Sequence, residues 1–327
     1  MMNKVFLFWH DRYEKMPLFH RMNVDNFRRR LEGSRWDIVL TNLDKTSDSY
    51  VGHFIDLPEY FNDIGNRMSD IRGLHGNQSD IVRLRLLEKY GGCYFDTSTI
   101  FLRHSIDDLL LYERLVNSEA TLAGYSNVTF TRKNEEGKNY FSNAIDGIEL
   151  GALFAKPDSS FLHQFNMEVD NYWKWKTKDK IYTEYPLFLS NRLTKVSFLN
   201  EYHIHYSIYQ MLITRDYSYH SNIVTQSIHM KNKEGAIFDG PYSVQDRFCR
   251  GATGYGAATP GALLKVFKEK NISSNEGRYF DLYSRVQLFL DTEFLIFPGY
   301  LRTELERSYI TEEDYRKCPI FNHFYEL

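Results

Sequence analysis

The sequence predicts an α/β fold, and three kinds of stretch predict it. Residues 5–10 and 36–42 are short apolar runs with the length and composition of buried strands. Residues 17–31 read as an arginine-rich helical segment, and residues 159–175 as an amphipathic helix with Phe161, Leu162, Phe165, Val169 and Trp173 on one stripe. Residues 79–102 read as helix, glycine turn and strand in one continuous piece, which is the building block of a sheet covered by helices.

That last stretch organises the rest. Ser79 is a suitable N-cap, and Asp80 in a first turn suits the positive end of a helix. Ile81, Val82, Leu84, Leu86, Leu87 and Tyr90 make a broad apolar stripe. Gly91 and Gly92 end the helix, Cys93-Tyr94-Phe95 has strand composition, and Asp96-Thr97-Ser98-Thr99 follows. A helix of about eleven residues rises roughly 16 Å, and about five strand residues travel back a similar distance. Asp80 and Arg83 are therefore expected near Asp96 and Ser98, at the sheet edge where α/β proteins bind ligands. The plainer alternative is an i,i+3 ion pair on the helix and a turn capped by Asp96.

Ser79-Asp80, Arg83, Leu87, Tyr90-Gly91-Gly92, Tyr94 and Asp96 together resemble the core of glycosyltransferase family 32 and the related bacterial capsular polysaccharide synthesis proteins. The resemblance implies a GT-A (Rossmann-like) nucleotide-sugar transferase fold, with a mixed central sheet flanked by helices. It implies a UDP- or GDP-sugar donor, and transfer with retention to a glycan or lipid-linked oligosaccharide in capsule or cell-surface polysaccharide synthesis. Donor-binding positions carried over are Trp9, His10, Asn42, Ser79, Asp80, Arg83, Gly92, Tyr94, Asp96, Thr97 and Ser98. For Trp9 and His10 ordinary core packing is the competing reading. The family's Asp-x-Asp metal motif reads Asp96-Thr97-Ser98 here. A neutral serine is a poorer ligand for a hard cation, so Mn²⁺ or Mg²⁺ is expected to bind weakly, through Asp96, Ser98 and the late His323. Asp96, Glu149 and Asp146 are the catalytic candidates. Glu149 stands where the family commonly has Asn, and either acts on the acceptor hydroxyl or donor sugar or makes a salt bridge at a strand edge.

Length and composition are compatible with this. The 327 residues, 43% hydrophobic, allow a sizeable core. A donor-binding half at residues 1–125 and an acceptor-side half with a closing segment at residues 126–327 are expected within one continuous domain. A net charge of −3 gives no basic excess for a nucleic acid partner. The 24 Tyr and 24 Phe suit sugar rings but suit ordinary cores better. Cys93, Cys249 and Cys318 form no metal signature and fit a reducing compartment. Neither a membrane span nor a signal peptide is read, so a cytoplasmic protein is expected. Arg21, Arg28, Arg29 and Arg30 line a helix that is a solvated face or a weak contact with the membrane's inner surface.

Residues 131–143 read as a polar surface loop, 203–212 as a packing helix, and 294–298 as a late strand. His203 and His205 do not share a helical face, so no two-histidine metal site is expected. Residues 258–263 resemble the family's Thr-Gly-Pro turn before a helix, with Pro and Gly exchanged, which implies that Thr259 stands near a helix start that suits a phosphate or is simply a helix start. Residues 226–257 stay unassigned. A non-catalytic nucleotide- or glycan-binding member with a degenerate Asp-x-Ser motif and a phosphosugar transferase remain as other classes. A dehydrogenase is disfavoured, because no Gly-x-Gly-x-x-Gly follows an early strand.

Overall fold

The structure is a computed structural model of the chain. It describes residues 3–101, 103–126, 131–133, 139–141, 148–190, 201–226, 229–231, 237–239, 294–296 and 311–313. In chain order the elements are β1 (Asn3–Phe8), α1 (Leu18–Arg30), β2 (Trp36–Thr41), α2 (Ile64–Arg67), α3 (Leu74–Tyr90), β3 (Gly92–Phe95), β4 (Thr99–Phe101), α4 (Leu110–Val116) and β5 (Leu122–Ser126). There follow β6 (Thr131–Lys133), β7 (Asn139–Phe141), β8 (Ile148–Ala155), α5 (Ser160–Trp175), α6 (Pro186–Ser190), α7 (Ile204–Arg215), β9 (Ile223–Gln226), β10 (His229–Lys231), β11 (Ile237–Asp239) and β12 (Phe294–Ile296). The chain divides into two compact units. The first is Met1–Arg12, Val39–Phe95 and Leu110–Gln226; the second is Tyr13–Ile38, Asp96–Leu109 and Ser227–Leu327.

The first unit is built on a mixed sheet flanked by helices, with strand order β2-β1-β3-β8-β5-β9. β1 and β3 run parallel, with Val5 opposite Cys93 and Phe6 opposite Tyr94. β8 lies antiparallel to both β3 and β5, and β5 runs parallel to β9. The α/β class expected from the sequence is the one observed.

α3 begins earlier than the sequence suggests. Its N-cap is Gly73, so Ser79 lies inside the helix and caps nothing. The run His75-Gly76-Asn77-Gln78 looks like loop by propensity, but its polar side chains find partners in helical geometry. Asn77 Nδ2 donates to the Gly73 carbonyl at 3.1 Å, and His75 Nδ1 lies 3.1 Å from Gln78 Oε1. These local bonds, made only in helical geometry, offset the few tenths of a kcal/mol per residue by which propensity disfavours a helix here. Downstream, Ile81, Val82, Leu84, Leu86 and Leu87 are buried as expected.

Two glycines close this helix for a steric reason. Gly91 has φ +62° and Gly92 φ +87°, the left-handed side that only glycine adopts cheaply. A Cβ on Gly92 would lie 2.4 Å from the Lys4 carbonyl oxygen, so the bare backbone lets β3 settle beside β1.

α5 packs on α3, and α7 on α5. Ser159 caps α5, its hydroxyl accepting from the Leu162 amide at 3.3 Å. Phe161, Leu162, Phe165, Val169 and Trp173 are all buried, so the apolar stripe is core, each side chain contributing about 1.5–3 kcal/mol. Residues 131–143 are not simply a loop. β6 and β7 pair antiparallel, Thr131 opposite Phe141 and Lys133 opposite Asn139. β-branched and aromatic residues on either side of a glycine-containing connection favour a hairpin, a signal that overall polarity obscured.

In the second unit α1 packs on β4, with the Phe27 and Phe101 rings stacked at 5.0 Å. β4 pairs antiparallel with β12, which is the late strand expected from residues 294–298, described as far as Ile296. β10 and β11 form a hairpin within the unassigned stretch. Among the described residues no helix is long and apolar enough to cross a membrane.

Candidate functional site

In the first unit, α3 places Ser79, Asp80 and Arg83 against β3 and α7. Asp80 Oδ1 lies 3.2 Å from Arg83 Nη2, and Asp80 Oδ2 lies 3.0 Å from His205 Nδ1. Arg83 Nη2 also donates to Ser79 Oγ at 2.9 Å, and the guanidinium sits 4.6 Å from the centre of the Tyr94 ring. The Tyr94 and Ser79 hydroxyls are 2.9 Å apart. Asp80, Arg83, Tyr94 and His205 are all buried. The i,i+3 pair read as the plainer alternative is present, and the His205 imidazole extends it to three side chains.

Burial by itself pushes the Asp80 carboxyl upward. The Arg83 guanidinium and the His205 and His203 imidazoles outweigh that and hold it below the ordinary carboxylate value. His203, the N-cap of α7, is pushed down by its own burial, against the pull of Asp80. A buried ion pair carries a desolvation cost that leaves it a weak stabiliser. His205 was read from sequence as packing. Its partner sits 125 positions earlier in the chain, and no local pattern connects the two.

Just beyond β1, Trp9 and His10 are half-buried, with ring centres 4.8 Å apart. His10 stacks face to face on His75 at 4.1 Å, and His75 stands in the first turn of α3. Asn42 is engaged with its own loop. Its Nδ2 donates to Ser47 Oγ at 3.0 Å, and its Oδ1 accepts from the Asp44 amide at 3.0 Å.

In the second unit, the Thr99 amide donates to the Asp96 carbonyl at 2.9 Å, making residues 96–99 a tight turn. Asp96 is half-buried, while Thr97 and Ser98 are buried. α1 holds this turn. His20 Nδ1 lies 2.9 Å from Thr97 Oγ1, Asn23 Nδ2 donates to the Thr97 carbonyl at 2.8 Å, and Asn26 Oδ1 accepts from the Phe101 amide at 3.0 Å. The sequence reading attended to the arginines of α1 and missed these three residues. Their spacing of i, i+3 and i+6 was the available signal.

Ser98 Oγ is buried with no hydrogen-bond partner among the described residues. No group of three or more His, Cys, Asp or Glu side chains among them is arranged to hold a metal ion. Asp96 and Ser98 offer one carboxylate and one hydroxyl, which by themselves are a weak set for a hard divalent ion. Of the remaining candidates, Asp146, Thr259 and His323 lie outside the described residues, and Glu149 stands on β8 with only its backbone described.

A mixed sheet flanked by helices, with a buried carboxylate–guanidinium–imidazole cluster, defines an α/β protein with a polar network inside its first unit. The chain belongs to the capsular polysaccharide synthesis protein family, whose model matches residues 1–231. It is 30% identical over 155 residues to O-glycosyltransferase braB of Annulohypoxylon truncatum, covering 46% of this chain and 35% of that protein. It is 32% identical over 104 residues to O-glycosyltransferase PaGT of Phomopsis amygdali, covering 31% of this chain and 25% of that one. The matched part thus spans about a third or a quarter of these relatives. The solved PaToxG glycosyltransferase aligns with 99% of this chain and 85% of its own, at 10% identity and a TM-score of 0.30.

Proposed function

We propose that the chain is a glycosyltransferase that moves a sugar from a UDP- or GDP-sugar to a hydroxyl of a glycan or lipid-linked oligosaccharide, with retention, in capsular or other cell-surface polysaccharide synthesis. The observation that carries this reading is the buried Asp80 carboxylate, kept ionised by Arg83 and His205, in a chain of this family. Asp80 accepts from donor-sugar hydroxyls and Arg83 donates to them. Trp9 and His10 face the base, with Asn42, Ser79, Gly92 and Tyr94 shaping the donor's surroundings. As the glycosidic bond breaks, negative charge builds on the leaving diphosphate and needs a positive partner. Asp96 and Ser98 would hold a divalent ion, Mn²⁺ or Mg²⁺, with His323 as a third ligand; when bound, it supplies a Lewis acid to the leaving group. Thr97 holds the turn that carries both ligands. Glu149 and Asp146 serve the acceptor hydroxyl. The arginines of α1 favour work at the inner face of a membrane.

The test is a panel of UDP- and GDP-sugars, each with and without Mn²⁺, read by nucleoside diphosphate release and by NMR of the product's anomeric proton. Release from one donor with an α product from an α donor is expected; an inverted product would overturn retention, and no release from any donor would overturn the transferase reading. A second reading, a non-catalytic nucleotide- or glycan-binding member, is favoured by Ser98 in place of a second carboxylate. It predicts donor or glycan binding without release in the same panel.

A further inference from the structure

We infer that His20, Asn23 and Asn26 are positioning residues for the diphosphate end of this reaction, acting through the turn that carries Asp96 and Ser98; the inference rests on the proposed donor-binding role of that turn. All three side chains are enclosed between α1 and its neighbours, at 0%, 0% and 1% exposure. Residues three apart on a helix are neighbours along one side, so they form a short polar ladder. An apolar ladder would pack this helix on β4 without any need for hydrogen-bond partners, as Phe27 does against Phe101. Buried amides and an imidazole cost free energy unless every bond is made. Their presence therefore calls for a geometric reason.

The groups they bind supply it. The ladder takes the Thr97 hydroxyl, the Thr97 carbonyl and the Phe101 amide. With the Asp96–Thr99 turn bond, the backbone is pinned on both sides of Ser98. Between these anchors lies the Ser98 hydroxyl, 1% exposed and without a partner among the described residues. One carboxylate and one hydroxyl bind a hard cation less strongly than two carboxylates. The weaker the ligand pair, the more its affinity depends on being held ready, because a loose turn must be ordered at the moment of binding. α1 provides that order from behind, without touching the ligand.

The test is calorimetric titration of the full chain with UDP and with GDP, each with and without Mn²⁺, comparing wild type with Asn23→Ala, His20→Leu and His20→Asn. The wild type is expected to bind one diphosphate more tightly with Mn²⁺. Asn23→Ala and His20→Leu are expected to lose about 10- to 100-fold of the Mn²⁺-linked affinity, as for other groups that orient metal ligands, with little change in Mn²⁺-free binding. His20→Asn keeps a polar atom at the Nδ1 position and is expected to recover most of the loss. Should Asn23→Ala fail to fold, the contrast between His20→Leu and His20→Asn decides. Folded variants that keep the Mn²⁺-linked affinity, or that lose binding equally with and without Mn²⁺, would overturn the inference while the transferase reading stands. A wild type that binds a diphosphate indifferently to Mn²⁺ would overturn it too. A wild type that binds neither diphosphate would overturn both.

Discussion

The Asp80 carboxylate meets the His205 imidazole at 3.0 Å, Oδ2 to Nδ1, so that a polar contact joins α3 to α7 inside the core. Arg83 takes the other carboxylate oxygen. Both oxygens of a buried acid are thus engaged by groups that favour its charged form.

Asp80→Asn keeps the shape and removes the charge, leaving Arg83 beside a neutral amide. Turnover is expected to fall by about 10²- to 10³-fold, the scale for losing one well-placed electrostatic partner. Stability falls as well, by up to about 3–5 kcal/mol, because a buried guanidinium is left uncompensated. Nucleotide release under saturating donor, set beside urea unfolding of the same sample, separates the two effects. Near-normal release from a folded Asp80→Asn protein would remove Asp80 from the reaction.

Acidification is expected to destabilise the fold in two windows. His203 has a folded pKa below its ordinary 6.5, chiefly through burial. Below about pH 6.5 the unfolded chain therefore binds the proton first, and stability drops as pH falls. Asp80 is also depressed, so its contribution is full above the unfolded carboxyl value of about 3.9 and is lost as pH falls through the lower folded value. Melting temperature followed against pH should show a shallow decline and then a steeper one. His203→Gln should flatten the first; an unchanged profile in that variant would show that His203 does not titrate in this way.

How much of this was legible in the sequence depended on the range of the interaction. The stripe of α5 is a local pattern and stands as read, whereas the cap by Ser159 just ahead of it is added by the structure. The two glycines after Tyr90 announced a helix end, and their positive φ values explain why the chain uses two. Ser79 misled because a serine before an apolar run is a genuine cap signal, while the partners that keep residues 74–78 helical are invisible to periodicity. The clamp on Thr97 and the contact of His205 with Asp80 join residues 77 and 125 positions apart, and one sequence carries no trace of such pairings. Asp80 and Arg83 were legible as a pair because four residues on a helix fix their geometry.

Gly92 and Gly33 both have positive φ, at +87° and +74°, but differ in what surrounds them. A Cβ at Gly33 meets nothing within 4 Å, so Gly33→Ala should cost only the backbone strain, about 1 kcal/mol. At Gly92 the added carbon would lie 2.4 Å from the Lys4 carbonyl oxygen, and β1 and β3 must part to admit it. Gly92→Ala should therefore cost well over about 3 kcal/mol, strain and displaced pairing together. Urea midpoints of the two variants test this; equal losses would mean that β1 accommodates the methyl group.

Lys176 and Glu201 form the most enclosed ion pair of the first unit's described residues, at 2.8 Å with side chains 1% and 5% exposed. Glu201 Oε2 accepts from both the amide and the hydroxyl of Ser69, each at 2.7 Å, and Lys176 Nζ donates to the Arg67 carbonyl at 2.8 Å. The pair thus ties the end of α5 to the segment between α2 and α3 and to the entry of α7. Removing one partner leaves the other charge buried, so Lys176→Met or Glu201→Leu alone should cost about 3–5 kcal/mol. In the double variant no charge is left uncompensated, though the Ser69 amide still loses its acceptor at about 1–3 kcal/mol. The double loss should therefore be clearly smaller than the sum of the single losses, giving a coupling energy of at least about 1 kcal/mol in a double-mutant cycle. Additive losses would mean that water reaches the pair, and that each charge is solvated independently of its partner.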